Sequence, residues 1–492
     1  MSPIPSHSQI LIIGGGPGGS YAASCLGREG LDVVLLEAEV FPRYHIGESL
    51  LPSMRHFLRF IDLEKKFLGH GFYEKVGAAF KLGQHKQEGY TDFVAMDPNN
   101  YSWNVVRSES DELLLRHAST SGAKVFEGVR VTDINFQDGT RRPVSATWVD
   151  KGGKSGTISF DFLIDASGRR GLMSTKYLKN RNFTQSLKNI AMWGYWSGTG
   201  SYKPGTSRAG SPFFEALTDG SGWAWFIPLS KKTTSIGVVM NKEIYSLKQS
   251  TSASSSIEFY RSALLSLAPV ITSLIGSGQL KTSDPTTTVR MASDYSYSAS
   301  SYAGNGYRIV GDAGAFIDPF FSNGIHLATS GALSAAVTIC ASLRGDCSEE
   351  EACQWHTSRL GTSYTRFLVV VLSAYRQMKS QDQPILTDID EDNFDRAFGH
   401  FRGIIQGVAD VTTPAAKVLT EEELATTLEF CAQAYMPPNP DDVMFESKIQ
   451  LVGIMASSET IDAVAANELH GKCMRLERGN LGLNWVKASS AP

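Results

Sequence analysis

The fold is decided by Ile10-Leu11-Ile12-Ile13-Gly14-Gly15-Gly16-Pro17-Gly18-Gly19, followed by the run Ser20 to Gly30 and then Leu31-Asp32-Val33-Val34-Leu35-Leu36-Glu37. The order is strand, glycine turn, helix, strand. Gly14, Gly16 and Gly19 fall on G-x-G-x-x-G. The first glycine permits a tight turn, the second lets backbone approach a pyrophosphate, and the third lets the helix lie close against the sheet. N–H groups at the helix start then face the phosphates, where the dipole favours negative charge. Glu37 ends the second strand, where a carboxylate accepts hydrogen bonds from a ribose hydroxyl pair. An acid there favours FAD or NAD over NADP, whose extra phosphate it repels.

The chain has 492 residues, enough for more than one core. Apolar residues make up 42% and charged residues 20%, the balance of a soluble globular protein. A net charge of −4 leaves no electrostatic footprint for nucleic acid. Cys25, Cys340, Cys347, Cys353, Cys431 and Cys473 form no C-x-x-C pair, so thiols in a reducing compartment are expected and no metal site. The polar Met1 to Gln9 leads straight into the first core strand, unlike a signal peptide. The apolar run 367–372 is too short to span a bilayer. These readings predict a cytoplasmic protein without stable membrane insertion.

Further along, the spacing predicts a helix over 54–60, a strand over 75–80 and another over 102–107. Ser108-Glu109-Ser110-Asp111 resembles a capping box before a helix over 112–118. Residues 123–131 and 144–149 read as hairpin strands, and 189–240 as β-rich. The alanine- and leucine-rich stretch 327–343 predicts a long buried helix. Residues from Glu349 onward read as mostly helical, broken at Met436-Pro437-Pro438-Asn439-Pro440. Two more apolar strands end in glycine turns, Asp165-Ala166-Ser167-Gly168-Arg169 and Gly311-Asp312-Ala313-Gly314. In a doubly wound sheet, strand C-terminal ends converge on one edge, where ligands bind. A single extended ligand accounts for all three turns, and FAD has the length.

With Arg107 and Gly311-Asp312 added to the glycine turn, the sequence resembles flavoproteins of the aromatic-hydroxylase fold. That resemblance implies that Arg107 touches the flavin phosphates or ribityl chain and that Asp312 binds the ribityl chain. Gly222-Trp223-Ala224-Trp225-Phe226-Ile227-Pro228 fits W-x-W-x-I-P, a motif of flavin-dependent halogenases. Period-2 spacing puts both indoles on one face of a strand. Without the family, they read as two core tryptophans. Gly71-Phe72-Tyr73-Glu74-Lys75-Val76-Gly77-Ala78-Ala79-Phe80 resembles the segment that holds the family's essential lysine, so Lys75 is implied to be catalytic. By spacing alone Lys75 reads as a surface lysine; Lys81 and Lys86 are assigned to solvent. In Asp318-Pro319-Phe320-Phe321-Ser322-Asn323-Gly324-Ile325-His326-Leu327, the N–H groups of Asn323 and Gly324 would form a chloride site at a helix start. The plainer reading is a helix capped by Ser322. Arg43-Tyr44-His45-Ile46-Gly47-Glu48-Ser49 matches fungal halogenases of phenolic polyketides and is implied to lie along the flavin, with Arg43 and Ser49 among its contacts.

The expected architecture is α/β: a doubly wound, Rossmann-like FAD domain with an inserted β-sheet substrate domain and a helical C-terminal part. Residues 1–75, 102–180 and 285–348 would form the FAD domain, 76–101 and 181–284 the substrate domain, and 349–492 the helical region. The resemblance implies a halogenase that takes reduced FAD, O₂ and chloride or bromide. Hypohalous acid would pass Trp223 and Trp225 to Lys75, which delivers it to a phenolic ring. Only one dinucleotide fingerprint is present, so reduced flavin is expected from a separate NAD(P)H:flavin reductase. No base toward the phenol is visible; Glu48, His45 and His326 are the candidates, and each reads first as a structural residue. The alternative on the same fold is an aromatic hydroxylase.

Overall fold

In a computed structural model, residues 3–85, 87–95, 97–252, 255–282, 288–379, 381, 406 and 469–486 are described. One sheet has a parallel core, in the order Tyr307–Ile309, Ser155–Asp165, His7–Ile13, Val33–Glu37, Lys124–Glu127. Alternation along its central strands sorts the side chains. Ile10, Ile12, Val33 and Leu35 face Tyr21 and Leu26 of helix Pro17–Arg28 and Leu114 of helix Arg107–Thr120. Leu11, Ile13, Val34 and Leu36 face Val129, Val131 and Trp148, which come from the antiparallel pair Val129–Phe136 and Pro143–Asp150. Helices therefore cover one face and a β-meander the other.

A second sheet is mostly antiparallel. Its order is Ala315–Phe316, Val289–Ala299, Arg181–Ser197, Thr233–Asn241, Gly222–Ser230, Phe213–Ala216, Gly77–Lys81, Gly89–Asp92. The expected strand over 75–80 is in fact two strands. Tyr73–Lys75 pairs with Ser102–Asn104 in a separate ribbon, and Gly77–Lys81 joins the large sheet. The chain changes partners at Val76, and this break is what lets Lys75 point away from the large sheet's row.

Three more local readings are corrected. Helix Arg107–Thr120 starts at Arg107, cutting the expected strand over 102–107 short at Asn104, and its N-cap, Val106, makes no side-chain cap bond, so Ser108 caps nothing. Lys81 is half-buried rather than solvated, and Lys86 lies outside the described residues. Beyond helix Glu349–Lys379, the described tail is β and not helical: Lys472–Arg475 and Gly482–Trp485 form a hairpin. Residues 436–440 lie outside the described residues.

That hairpin closes the first core. Leu469, Leu481 and Leu483 are buried among residues of helices Pro17–Arg28 and Gly324–Arg344. Glu29 accepts hydrogen bonds from the backbone N–H of Gly479 (2.8 Å) and Leu481 (3.0 Å) and pairs with Arg344 (2.8 Å). Each leucine so buried is worth about 1.5–3 kcal/mol. Helix Gly324–Arg344 is long and apolar enough to cross a membrane, yet 78% of its apolar window is buried inside the protein.

Candidate active site

The three glycine turns meet on one cavity of about 540 Å³. Gly14, Gly16, Ala166 to Arg170, Gly311 and Asp312 line it, at the C-terminal ends of the parallel strands. The three fingerprint glycines differ in what they permit. Gly14 has φ +101°, and a Cβ there would sit 2.3 Å from the Ala166 carbonyl oxygen. A Cβ on Gly19 would sit 1.9 Å from the Gly14 carbonyl oxygen, so helix and turn touch only through glycine. Gly16 is extended (φ −68°, ψ −177°), open to any residue, and its nearest neighbour to a Cβ is Arg43 Nη2 at 3.5 Å. Its missing side chain leaves room in the cavity, which fits a pyrophosphate against the helix start.

Glu37 is buried at the strand end and lines the cavity. Its Oε2 accepts from Gly15 N at 2.5 Å and its Oε1 from Glu39 N at 2.7 Å, which fixes the carboxylate beside the cavity. Arg107 and Arg43 both reach the cavity and converge on buried Asp111. Arg107 Nε and Nη2 donate to the two Asp111 oxygens at 2.8 and 2.9 Å, and Arg43 Nη1 donates to Oδ2 at 2.9 Å. Arg107 Nη1 also donates to the carbonyls of Ile46 (2.6 Å) and Gly47 (3.1 Å). It thus ties down the segment Ile46 to Ser49, which runs along the cavity. Asp312 lines the cavity, and burial raises its carboxyl above the ordinary range. Ser49 lines it too, with its buried Oγ unpaired in the protein.

Gly324 opens helix Gly324–Arg344 on the cavity wall, and a Cβ added there would meet nothing within 4 Å. Ser322 stands in the left-handed region (φ +58°) and caps nothing. The uncapped helix start is suited to an anion. Asn323 is fully buried and is not among the lining residues; its Nδ2 donates to the Asp318 carbonyl at 3.1 Å. The side chain is therefore committed to the loop.

Trp223 and Trp225 are buried, line the cavity and lie 5.7 Å apart between ring centres. Phe80, Phe214, Phe320 and Tyr375 pack in the same cluster, Phe214 lining the cavity as well. The Trp225 indole N–H donates to Ser235 Oγ at 3.1 Å. The Trp223 N–H donates to the Tyr375 hydroxyl at 2.9 Å, and Tyr375 donates to Asp318 Oδ2 at 2.6 Å. Asn189 donates to the same carboxylate oxygen at 3.1 Å.

Lys75 is 1% exposed. Its Nζ donates to the Leu50 carbonyl at 3.0 Å and stands 5.1 Å from the Phe93 ring centre. Burial pushes the amine down to about 7 from its ordinary 10.5. The amine is not among the residues lining the cavity. Strand Tyr73–Lys75 packs on strand Gly222–Ser230, which carries both indoles, and Asn104 of the same ribbon donates to the Pro228 carbonyl at 2.9 Å. A buried amine and a flavin-sized cavity thus lie on either side of the segment from Glu48 to Leu50.

A family model described as tryptophan halogenase matches residues 9–99 and 93–446. The flavin-dependent halogenase ascD of Acremonium egyptiacum is 50% identical over all of this chain and 95% of its own length. The chain belongs to the flavin-dependent halogenases. The sulochrin halogenase gedL of Aspergillus terreus is 47% identical over 95% of this chain and 86% of its own. The solved structure of the myxobacterial chondrochloren halogenase CndH, described as a variant of FAD-dependent halogenases, aligns with a TM-score of 0.69 and 29% identity. It covers 89% of this chain and 99% of that one. The enzyme is therefore an FADH₂-dependent halogenase and not a hydroxylase.

Two features of the halogenase escape a sequence reading. The Asp318–Tyr375–Asn189 set that orients Trp223 joins three distant segments, and only Asp318 sits in a motif. His326, a candidate base by sequence, is a core residue: its Nδ1 bonds Ser53 Oγ at 2.8 Å and its ring packs between Phe57 and Phe367. His45 bonds the neighbouring Ile46 carbonyl at 2.6 Å on the cavity wall. Glu48 is buried with only one oxygen bonded. Among the described residues, no group of three metal-ligating side chains gathers.

Proposed function

We propose that this halogenase places chlorine or bromine on an electron-rich phenolic ring of a polyketide-type metabolite, with Lys75 as the group that hands on the oxidised halogen. The observation that carries the reading is the buried amine of Lys75, lowered to about 7, against the strand that bears the two cavity-lining indoles. Gly14, Gly16, Gly19, Glu37, Arg43, Ser49, Arg107 and Asp312 would hold FAD. When bound in reduced form, it supplies the electrons with which O₂ oxidises the halide.

The chain's own residues do the rest. The helix start at Gly324 holds the halide by backbone N–H groups, with Asn323 fixing the loop. Trp223 and Trp225 fill the space beside the cavity, so a bulky ring is kept away while a small oxidised halogen passes. Lys75 then holds hypohalous acid by hydrogen bond or as a chloramine and aims it at the ring. An amine near 7 is partly neutral at physiological pH and serves either way. A phenol suits the step because ring electron density makes the attack. The name of the relative that acts on sulochrin points the same way.

The single dinucleotide fingerprint supports a separate NAD(P)H:flavin reductase as partner. Cytoplasmic location and the three-part division 1–75/102–180/285–348, 76–101/181–284 and 349–492 belong to the same proposal. The test is a panel of resorcinol-type polyketides incubated with the halogenase, a flavin reductase, NADPH, O₂ and chloride, read by mass spectrometry. A chlorine mass shift that vanishes in Lys75→Ala, with flavin binding kept, is expected. Full chlorination by Lys75→Ala would remove the lysine from its role.

A further inference from the structure

A line of hydrogen bonds beside the cavity runs in one direction. Trp193 Nε1 donates to the Tyr44 hydroxyl at 2.8 Å, and Tyr195 donates to Glu48 Oε1 at 2.7 Å. The two phenol oxygens are 2.9 Å apart. Each phenol has a single hydrogen. Tyr195 uses its own on Glu48, so Tyr44 is the donor between them. The line therefore points inward, from Tyr44, which is 44% exposed, to Glu48, which is 5% exposed and lines the cavity.

The far end of the line is unfinished. Glu48 Oε2 is shielded from solvent and meets no group in hydrogen-bond geometry, although the Ser235 hydroxyl is close enough to favour the carboxylate. Buried polar atoms are rarely left so, and an orphaned one marks a strained or catalytic group or one that water, an ion or a ligand completes. Oε1 already accepts the Tyr195 hydrogen bond, so a neutral Glu48 carries its own proton on Oε2. The groups facing this carboxyl are the Tyr195 and Ser235 hydroxyls and the Arg107 and Arg290 cations, all of which favour the carboxylate. Burial outweighs them and holds the group at about 7, so the acid form is populated at working pH. Arg290 stands over the Tyr44 ring at 3.9 Å, and Arg107 is engaged with Asp111.

We propose that Glu48 gives a proton to the group bound in the cavity, and that Tyr195 and Tyr44 bring its replacement from solvent. Halide oxidation takes up one proton per turnover: reduced flavin, O₂, halide and a proton give oxidised flavin, hypohalous acid and water. Glu48 releases the proton on Oε2 and becomes a carboxylate. Tyr195 passes its hydroxyl proton to Oε1 while taking the Tyr44 proton, and Tyr44 takes one from water. Rotation of the carboxyl and hydroxyls resets the line. One proton enters for each delivered, and no electron moves along it. Glu48 thus faces the flavin side rather than serving as a base toward the phenol.

The inference rests on the cavity being the flavin site, so its first test needs no flavin. In an infrared titration of the flavin-free protein, a protonated-carboxyl band with a midpoint near 7 is expected, and Glu48→Gln should lose it. Tyr195→Phe should move that midpoint upward, because the carboxylate loses a donor. The second test is single-turnover halogenation from pre-reduced flavin. Glu48→Gln should slow it about a hundredfold, in the range of a lost general acid, and flatten its fall above pH 7. Tyr195→Phe should slow it less and change its solvent isotope effect. Flavin fluorescence on binding is read in the same samples, and binding should persist in both variants. The absence of a Glu48-dependent band above pH 6 would overturn the proposal, as would wild-type rate and isotope effect in Tyr195→Phe.

Discussion

Replacing Lys75 with Met should make the protein inactive and, near neutrality, more stable. The amine is fully buried, and its pKa falls from 10.5 to about 7. At about 1.4 kcal/mol for each pH unit between those values, holding the charged form costs the fold about 5 kcal/mol. The sign follows from proton counts. Below pH 7 the lysine is charged in both folded and unfolded chains, and the whole cost is present. Between 7 and 10.5 the unfolded chain keeps a proton that the folded chain has lost, so stability climbs with pH. Above 10.5 neither chain is charged and the cost is gone. Met keeps the apolar stem at similar volume but leaves the Leu50 carbonyl without its donor, a loss of about 1–3 kcal/mol. The variant should therefore be about 2–4 kcal/mol more stable than the parent at pH 6.5 and about 0–2 kcal/mol less stable at pH 10, where about 1 kcal/mol of the cost still remains. Urea midpoints of both proteins at the two pH values, at equal slope, measure this. Other titrating groups cancel in the difference. A gap that does not change with pH, or a parent that is more stable throughout, would show that Lys75 does not carry a buried charge.

Gly16→Ala should fold normally, since its Cβ meets nothing closer than 3.5 Å, yet lose flavin affinity by tenfold or more in a fluorescence titration. Gly14→Ala should instead yield little folded protein, because its Cβ falls 2.3 Å from a backbone oxygen; near-parental thermal stability would contradict the turn described. Tyr375→Phe leaves the Trp223 indole N–H only its long bond to Asp318 Oδ2 (3.5 Å) and removes a donor from buried Asp318. It should cost about 1–3 kcal/mol in urea unfolding and lower the chlorinated product formed per halide oxidised, measured by trapping free hypohalous acid; unchanged partition would relieve Tyr375 of any role in setting the indole.

Short-range chemistry made most of the flavin half legible. Gly14, Gly16 and Gly19 carry their roles in their spacing, and the unbroken apolar runs Ile10 to Ile13 and Val33 to Leu36 mark strands buried on both faces. The division at Val76 was not legible, because Lys75 and Gly77 belong to one apolar-looking run whose two halves choose different partners at Ser102 and Thr91–Asp92. Burial of Lys75 was legible only through family resemblance; a lone lysine between a glutamate and a valine reads as solvated. The line Tyr44–Tyr195–Glu48 spans about 150 positions of sequence, and no local pattern announces that two tyrosines will meet. Asn323 illustrates the opposite case, a residue whose motif is visible but whose side chain turns away to a loop carbonyl.

The tail hairpin has a consequence for how the chain is made. Glu29 belongs to the first helix's exit, yet its partners Arg344, Gly479 and Leu481 are synthesised more than 300 residues later. Until Leu481 and Leu483 emerge, the earliest-made layer has an open apolar flank and an acid waiting in it. The nucleotide-binding half is thus the first to be translated and among the last to be sealed. Clipping the polypeptide after Lys379 should leave a species that shows its unfinished flank to chaperones, even though every residue touching the cavity has already been made.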